Sequence, residues 1–236
     1  FERAVTANEK SGLRSDPALF IARGRVQETL GAFVQANEDF VAALDLARQG
    51  NDQRSAWEAL HALGMLWAAR DYQRAGQYRR DALELARVIG DPALTARSLN
   101  RVGNWYVNRE APRSGIPYHD EALAISTSAN DRRGIVEAID LLAMAHHVAG
   151  DQDTAVELCE RSIDLFTALD DRRGLSNAFS ILVACGPSLH SNAGVTCESP
   201  RVADLLATER AVRLATDIGW RAGEAFARYL HADCLA

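Results

Sequence analysis

A pair of residues that ends one helix and begins the next recurs along this chain at a nearly fixed interval. Asn51-Asp52, Gly90-Asp91, Asn130-Asp131 and Asp170-Asp171 are spaced 39, 40 and 40 residues apart. Glycine and asparagine tolerate the left-handed backbone that terminates a helix. The aspartate that follows accepts hydrogen bonds from the free N–H groups of the next helix, worth about 1 kcal/mol per cap. Pro17 after Asp16 and Pro92 after Asp91 sit where proline suits a first helical turn. Asp170 is the exception at the stop position and needs tighter local compensation than glycine. The ladder extends backward to Gly12 and forward, across an insertion, to Gly219.

The interior of each period is also patterned. Twelve residues after each cap comes a small residue, Gly64, Gly103 and Ala143, with Val183 as a weaker copy. Each follows a large apolar one: Leu63, Val102, Leu142 and Leu182. Glycine inside a helix costs about 1 kcal/mol against alanine, so its recurrence predicts close approach of a neighbouring helix. A second small position follows at Ala36, Ala75, Gly115 and Ala155, and seven residues later come Ala43-Leu44, Ala82-Leu83, Ala122-Leu123 and Ser162-Ile163. Two helices of ~17 residues joined by a short turn, such as Gly150-Asp151, satisfy these spacings.

The run of a large apolar residue, a small one and then an aromatic or histidine (Gly64 to Trp67, Gly103 to Tyr106, Ala143 to His146) resembles the tetratricopeptide repeat, TPR. The phrases ALELARVIGD, RRGIVEAIDLLAMAHHVAGD and AVELCERSIDLFTALDDRRG are similar to the repeat regions of bacterial LuxR-type regulators and STAND signalling ATPases. The resemblance implies an all-α fold, a right-handed α-α superhelix of helical hairpins with a period of ~40 residues against 34 in typical members. It is expected to run over 1–236 as one solenoid. The expected repeats are 13–51, 52–90, 91–130, 131–170 and 171–219, the last with an inserted loop at 186–199. Residues 1–12 read as the tail of a truncated repeat, since Glu2-Arg3-Ala4-Val5 recurs as Glu209-Arg210-Ala211-Val212, and 220–236 as a terminal helix. A segment of a longer protein is the expectation.

Composition narrows the function classes. The chain carries 26 Lys and Arg against 32 Asp and Glu, a formal charge of −6, unlike the basic stripe of a nucleic-acid surface. No apolar run reaches the ~18 residues needed to span a bilayer, so a soluble, cytoplasmic protein without membrane or direct nucleic-acid contact is expected. Cys159, Cys185, Cys197 and Cys234 include no C-x-x-C pair, which argues for reduced thiols; Cys185 and Cys197 bracket the inserted loop and are the pair open to oxidation. The sole Lys-Ser pair, Lys10-Ser11, follows Glu9 where a phosphate-binding loop needs glycine. His146 and His147 point about 100° apart on a helix and cannot share a metal; packing is the expected role of His146. Ser188 and His190 lack an acid partner set by spacing, and Trp57, Trp67 and Trp105 fall at core spacings. No enzyme activity, metal or cofactor is expected.

The first helices carry the more informative residues. The resemblance places Arg97, Asn100, Arg101, Asn104 and Asn108 on the inner, groove-lining face, where family members bind extended peptides or partner helices. Three asparagines on one stripe are unusual in a helix, and an Asn amide both donates to and accepts from a peptide backbone. Glu137, Asp140, Met144 and His147 occupy the equivalent face of the next repeat. Glu58, His61 and Met65 precede, and Asn177 and Ser180 follow. The mixed charge predicts a polar or zwitterionic ligand. The leading expectation is a protein- or peptide-binding sensor or scaffold segment of a bacterial signalling or transcription regulator. A homodimer formed through 220–236 is the structural alternative, and a catalytic repeat using His61, Asp140 or His147 the remote one.

Overall fold

The computed structural model describes residues 16–185 and 202–235. The N-terminal tail, the 186–199 insertion and the residues Lys10, Ser11, Ser188, His190 and Cys197 lie outside them. Eleven helices occupy the described residues: α1 Pro17–Thr29, α2 Phe33–Gln49, α3 Gln53–Leu66, α4 Tyr72–Ile89, α5 Pro92–Val107, α6 Pro112–Ser128, α7 Arg132–Ala149, α8 Gln152–Ala168, α9 Arg172–Ala184, α10 Val202–Asp217 and α11 Arg221–Leu235. No strand occurs among the described residues.

The recurring doublets do the work assigned to them. Asn51, Asn130 and Asp170 take φ of 53°, 53° and 52°, and Gly90 and Gly219 take 73° and 68°. The next aspartate then caps: Asp52 accepts from Ser55 N at 3.0 Å, Asp91 from Ala93 N at 2.9 Å, Asp131 from Arg133 N at 3.1 Å and Asp171 from Gly174 N at 2.9 Å. Inside hairpins, Asp71 and Asp151 likewise cap α4 and α8, Asp151 after Gly150 at φ 84° and Asp71 without a left-handed residue before it. The α5–α6 turn departs from this scheme. Glu110 supplies the positive φ there, 60°, and α6 starts without a side-chain cap.

The chain divides at Val102 and Gly103 into two compact units. In the first, α1 to α4 pack each against the next, and the first helices α1 and α3 also touch. Its core is Ile21, Phe40, Leu44, Trp57, Leu60, Leu63 and Leu66, threaded with Ala36, Ala43, Ala56 and Ala59. In the second, α6 to α11 pack in the same sequential way, and α9 touches both α7 and α11. Its core is divided among Val136, Phe166, Leu175 and Phe179; Ala143, Ala155, Cys159, Ile181 and Cys185; and Val183, Leu230 and Cys234. Trp57 and Trp105 are buried, and Trp57 Nε1 donates to Ser98 Oγ at 2.9 Å. Trp67 is half-buried, donating to Asn37 Oδ1 at 3.0 Å.

The recurrent small residues mark close helix approaches. A Cβ on Gly115 would stand 2.6 Å from the Gly103 carbonyl oxygen, and one on Gly103 would stand 2.7 Å from the His119 ring. Four residues beyond each second-helix small position lies a slot beneath the first helix, and its occupant changes with every repeat. Phe40, Arg79, His119 and Cys159 fill it at intervals of 39, 40 and 40, and Thr208 follows after the insertion. All five are buried. The slot has one geometry and five chemistries.

Candidate functional site

The first-helix faces bring particular register positions together. Numbering from the capping aspartate, the ninth residue of one repeat stands by the sixth of the next within each unit. Arg25 pairs with Glu58 at 3.7 Å, Arg97 lies in the field of His61, and Asn177 Nδ2 donates to Asp140 Oδ2 at 2.8 Å. Two of the predicted groove residues, Asp140 and Asn177, are therefore direct partners.

In the first unit, positive charge gathers around a neutral imidazole. His61 on α3 is half-buried and its Nε2 is enclosed without a hydrogen-bond partner. Burial, reinforced by Arg101, Arg97, Arg25 and Arg79, pushes its pKa down to about 4. Arg79 reaches this cluster from α4, passing under Gly64, where a Cβ would stand 3.1 Å from its Cγ. Its Nη1 contacts the Arg101 carbonyl at 3.4 Å, while its Nε has no partner. Burial and then the neighbouring Arg101 lower its pKa.

The second unit reverses the sign. Asp140 on α7 is half-buried; while Oδ2 accepts from Asn177, Oδ1 is closed from solvent with no donor. Burial raises its pKa to about 7, the Asn177 hydrogen bond opposes this, and Glu137 and Asp171 add to it. One turn on, Met144 packs beside Ala143, Cys159 and Cys185. His147 is half-buried, its Nδ1 3.0 Å from Gln152 Oε1. A hydrogen bond with Cys185 raises its pKa, against burial and with help from Gln152.

The remaining predicted residues are distributed unevenly. Arg97 is exposed, Arg101 and Asn104 are half-buried, and Asn108 is exposed just beyond the last turn of α5. Asn100 departs from the expected open stripe: at 1% exposure it is a core residue, as is Ser180 at the matching position. The ninth position is not uniformly enclosed: Arg25 is exposed and His61 and Asp140 are half-buried, whereas Asn100 and Ser180 are buried. His146 also differs from simple packing, since its Nδ1 lies 2.9 Å from Asp151 Oδ2 across the hairpin turn. Arg79 and the slot it fills were missed by sequence reasoning; the fixed offset of four from Ala36, Ala75, Gly115 and Ala155 was the available signal. Cys185 faces Cys159 and His147, and no disulfide joins Cys159 and Cys185. No group of three or more His, Cys, Asp or Glu among the described residues is arranged to hold a metal.

No protein-family model matches the sequence. No curated protein matches it either. Solved structures do. A STAND protein with a tetratricopeptide repeat sensor from Pyrococcus horikoshii superimposes with a TM-score of 0.67 at 15% identity, over 93% of this chain and 36% of that one. A putative kinesin light chain from Podosopora anserina with nearly identical TPR-like repeats gives 0.55 at 14% identity, over 92% of each chain. The fold is TPR-like. A Rap protein complexed with competence and sporulation factor gives 0.63 at 16% identity, over 92% of this chain and 63% of that one. The chain thus spans about a third of the STAND protein and somewhat under two thirds of the Rap protein. No described helix of this TPR-like chain is long and apolar enough to cross a membrane.

Proposed function

We propose that this TPR-like chain is a binding module for an extended peptide or protein segment, acting as the sensor or scaffold part of a bacterial signalling or transcription regulator. The observation that carries the reading is Asp140 Oδ1, an enclosed carboxylate oxygen left without a donor while Asn177 holds its twin. A buried polar atom without a partner is costly, by about 1–3 kcal/mol, and a peptide N–H or a basic side chain supplies the missing bond. Met144 and Asn104 add an apolar and an amide contact on the corresponding positions of α7 and α5. The Rap structure is of a complex with competence and sporulation factor, and the STAND structure carries a TPR sensor; both support binding as the job of such a fold. Ligand entry would act by shifting the packing of adjacent hairpins, since small rotations add along a repeat array.

Selection of a random peptide library on the full chain tests this. Enriched peptides that lose affinity on Asn177→Ala and Asn104→Ala together are expected; undiminished binding to the double variant removes the assignment. A second reading, self-association, is favoured by α11, whose Tyr229 and Leu235 are 65% and 66% exposed. Static light scattering on the chain with and without 220–236 separates the two. No enzymatic role is proposed: Asp140 has Asn177 rather than a base beside it.

A further inference from the structure

Two buried thiols of the second unit bond to each other, and one of them also bonds to an imidazole. Cys159 lies on α8 and Cys185 caps the end of α9, and both pack with Ala143 and Ile181 in one cluster. Their side chains share a hydrogen bond, and a further one joins Cys185 to His147 on α7. Packing does not call for sulfur at Cys159, because the same slot holds Phe40, Arg79, His119 or Thr208 in other repeats. The two thiols are also unlike. Cys185 keeps 4% exposure and has the imidazole beside it, whereas Cys159 is wholly enclosed. The hydrogen bond with Cys185, and then burial, push the Cys159 thiol up and keep it protonated.

His147 is set to receive a proton. Gln152 Nε2 donates to the His147 carbonyl at 3.4 Å, which leaves Gln152 Oε1 to face the ring, 3.0 Å from Nδ1. An amide oxygen only accepts, so Nδ1 carries the hydrogen and Nε2 is left with a lone pair for the Cys185 S–H. The hydrogen bond with Cys185 also raises the His147 pKa, which favours an imidazolium beside a thiolate.

We propose that Cys159 and Cys185 form an oxidative modification site at which a peroxide joins them in a disulfide, with His147 as the base that frees the Cys185 thiolate. The thiolate is the nucleophilic form of cysteine; it attacks one oxygen of hydrogen peroxide and breaks the O–O bond. Cys185 becomes a sulfenic acid, and the departing hydroxide takes the proton from His147 and leaves as water. The Cys159 sulfur then attacks the Cys185 sulfur, and its own proton leaves with the sulfenic oxygen as a second water. The two thiols lose two electrons, and one peroxide is reduced to two waters. The new bond ties α8, the second helix of one hairpin, to α9, the first helix of the next. It needs no part of the peptide-binding assignment at Asp140.

The test is oxidation of the full chain, reduced beforehand and freed of reductant, with equimolar hydrogen peroxide, followed by thiol blocking and non-reducing peptide mapping. A link between Cys159 and Cys185 that dithiothreitol reverses is expected. Fragmentation tells Cys185 from Cys197, which share one tryptic peptide. Cys159→Ser, a hydroxyl in a slot that holds Thr208 elsewhere, should halt the reaction at a Cys185 sulfenic acid captured by dimedone. His147→Phe should slow formation of the link at least about tenfold, while His146→Gln leaves the rate unchanged. If Cys159→Ser does not fold, the map of the wild-type chain decides. A link from Cys185 to Cys197 overturns the site, as do Cys159 and Cys185 both still reduced once the peroxide is consumed. An unchanged rate in His147→Phe removes the base.

Discussion

The two units use the same hairpin and bury opposite charges in it. In the first, enclosure takes the Arg79 guanidinium and holds His61 neutral. In the second, it isolates the Asp140 carboxylate. The difference arises at matched register positions, since His61 and Asp140 are both the ninth residue after a capping aspartate. Backbone geometry fixes where an enclosed polar group will be; the side chain decides what it lacks. Acid should therefore act on the units in opposite directions. A histidine whose folded pKa lies below its unfolded value contributes stability above about 6.5 that is lost as pH falls towards 4. An aspartate whose folded pKa is raised behaves the other way: its cost is absent below about 4 and grows as pH rises towards 7.

The sharpest way to break the comparison is at the small positions. Gly115→Ala places a Cβ 2.6 Å from a backbone oxygen of the second unit, and a loss of about 3 kcal/mol is expected in urea unfolding. Gly64→Ala in the first unit meets the Arg79 side chain at 3.1 Å, with backbone no nearer than 3.7 Å, and should cost about 1 kcal/mol. Equal losses would mean that the two approaches are not different in kind. Next in size is Asp140→Asn, expected to stabilise by about 2 kcal/mol at pH 8 and by little at pH 4. Thermal melts at the two pH values check it, and a gain that does not depend on pH would contradict the raised pKa. Over the same range the His61 ring resonances should stay in the neutral position until close to pH 4.

Smaller effects probe what the units share. Asp52→Ala and Asp171→Ala should each cost about 1 kcal/mol, because each removes one cap of the same geometry. At the stop positions, Asp170→Gly should stabilise by about 0.5 kcal/mol, since φ of 52° strains aspartate and not glycine. Asn51→Gly should gain less, asparagine being more at home there. Denaturant midpoints for these four variants would rank them.

The hairpin boundaries were legible because each is written in residues with one conformational use: Asn51, Gly90, Asn130 and Asp170 at the stop, an aspartate at the start. Asp140 and Asn177 were named as face residues because the resemblance supplies the register of the first helices. Their hydrogen bond was not, because it depends on how far the sixth residue of one repeat reaches over the ninth of its neighbour. Arg79 was not legible because it comes from a second helix and turns inward under Gly64, away from the first-helix face.

The five-membered slot has a practical consequence. Phe40, Arg79, His119, Cys159 and Thr208 show that one scaffold site accepts an aromatic ring, a cation, an imidazole, a thiol or a hydroxyl without a change of hairpin. Each repeat is thus an independent address at which chemistry can be rewritten. Moving arginine from one address to the next would relocate a charge by one repeat along the array while leaving every turn and cap in place.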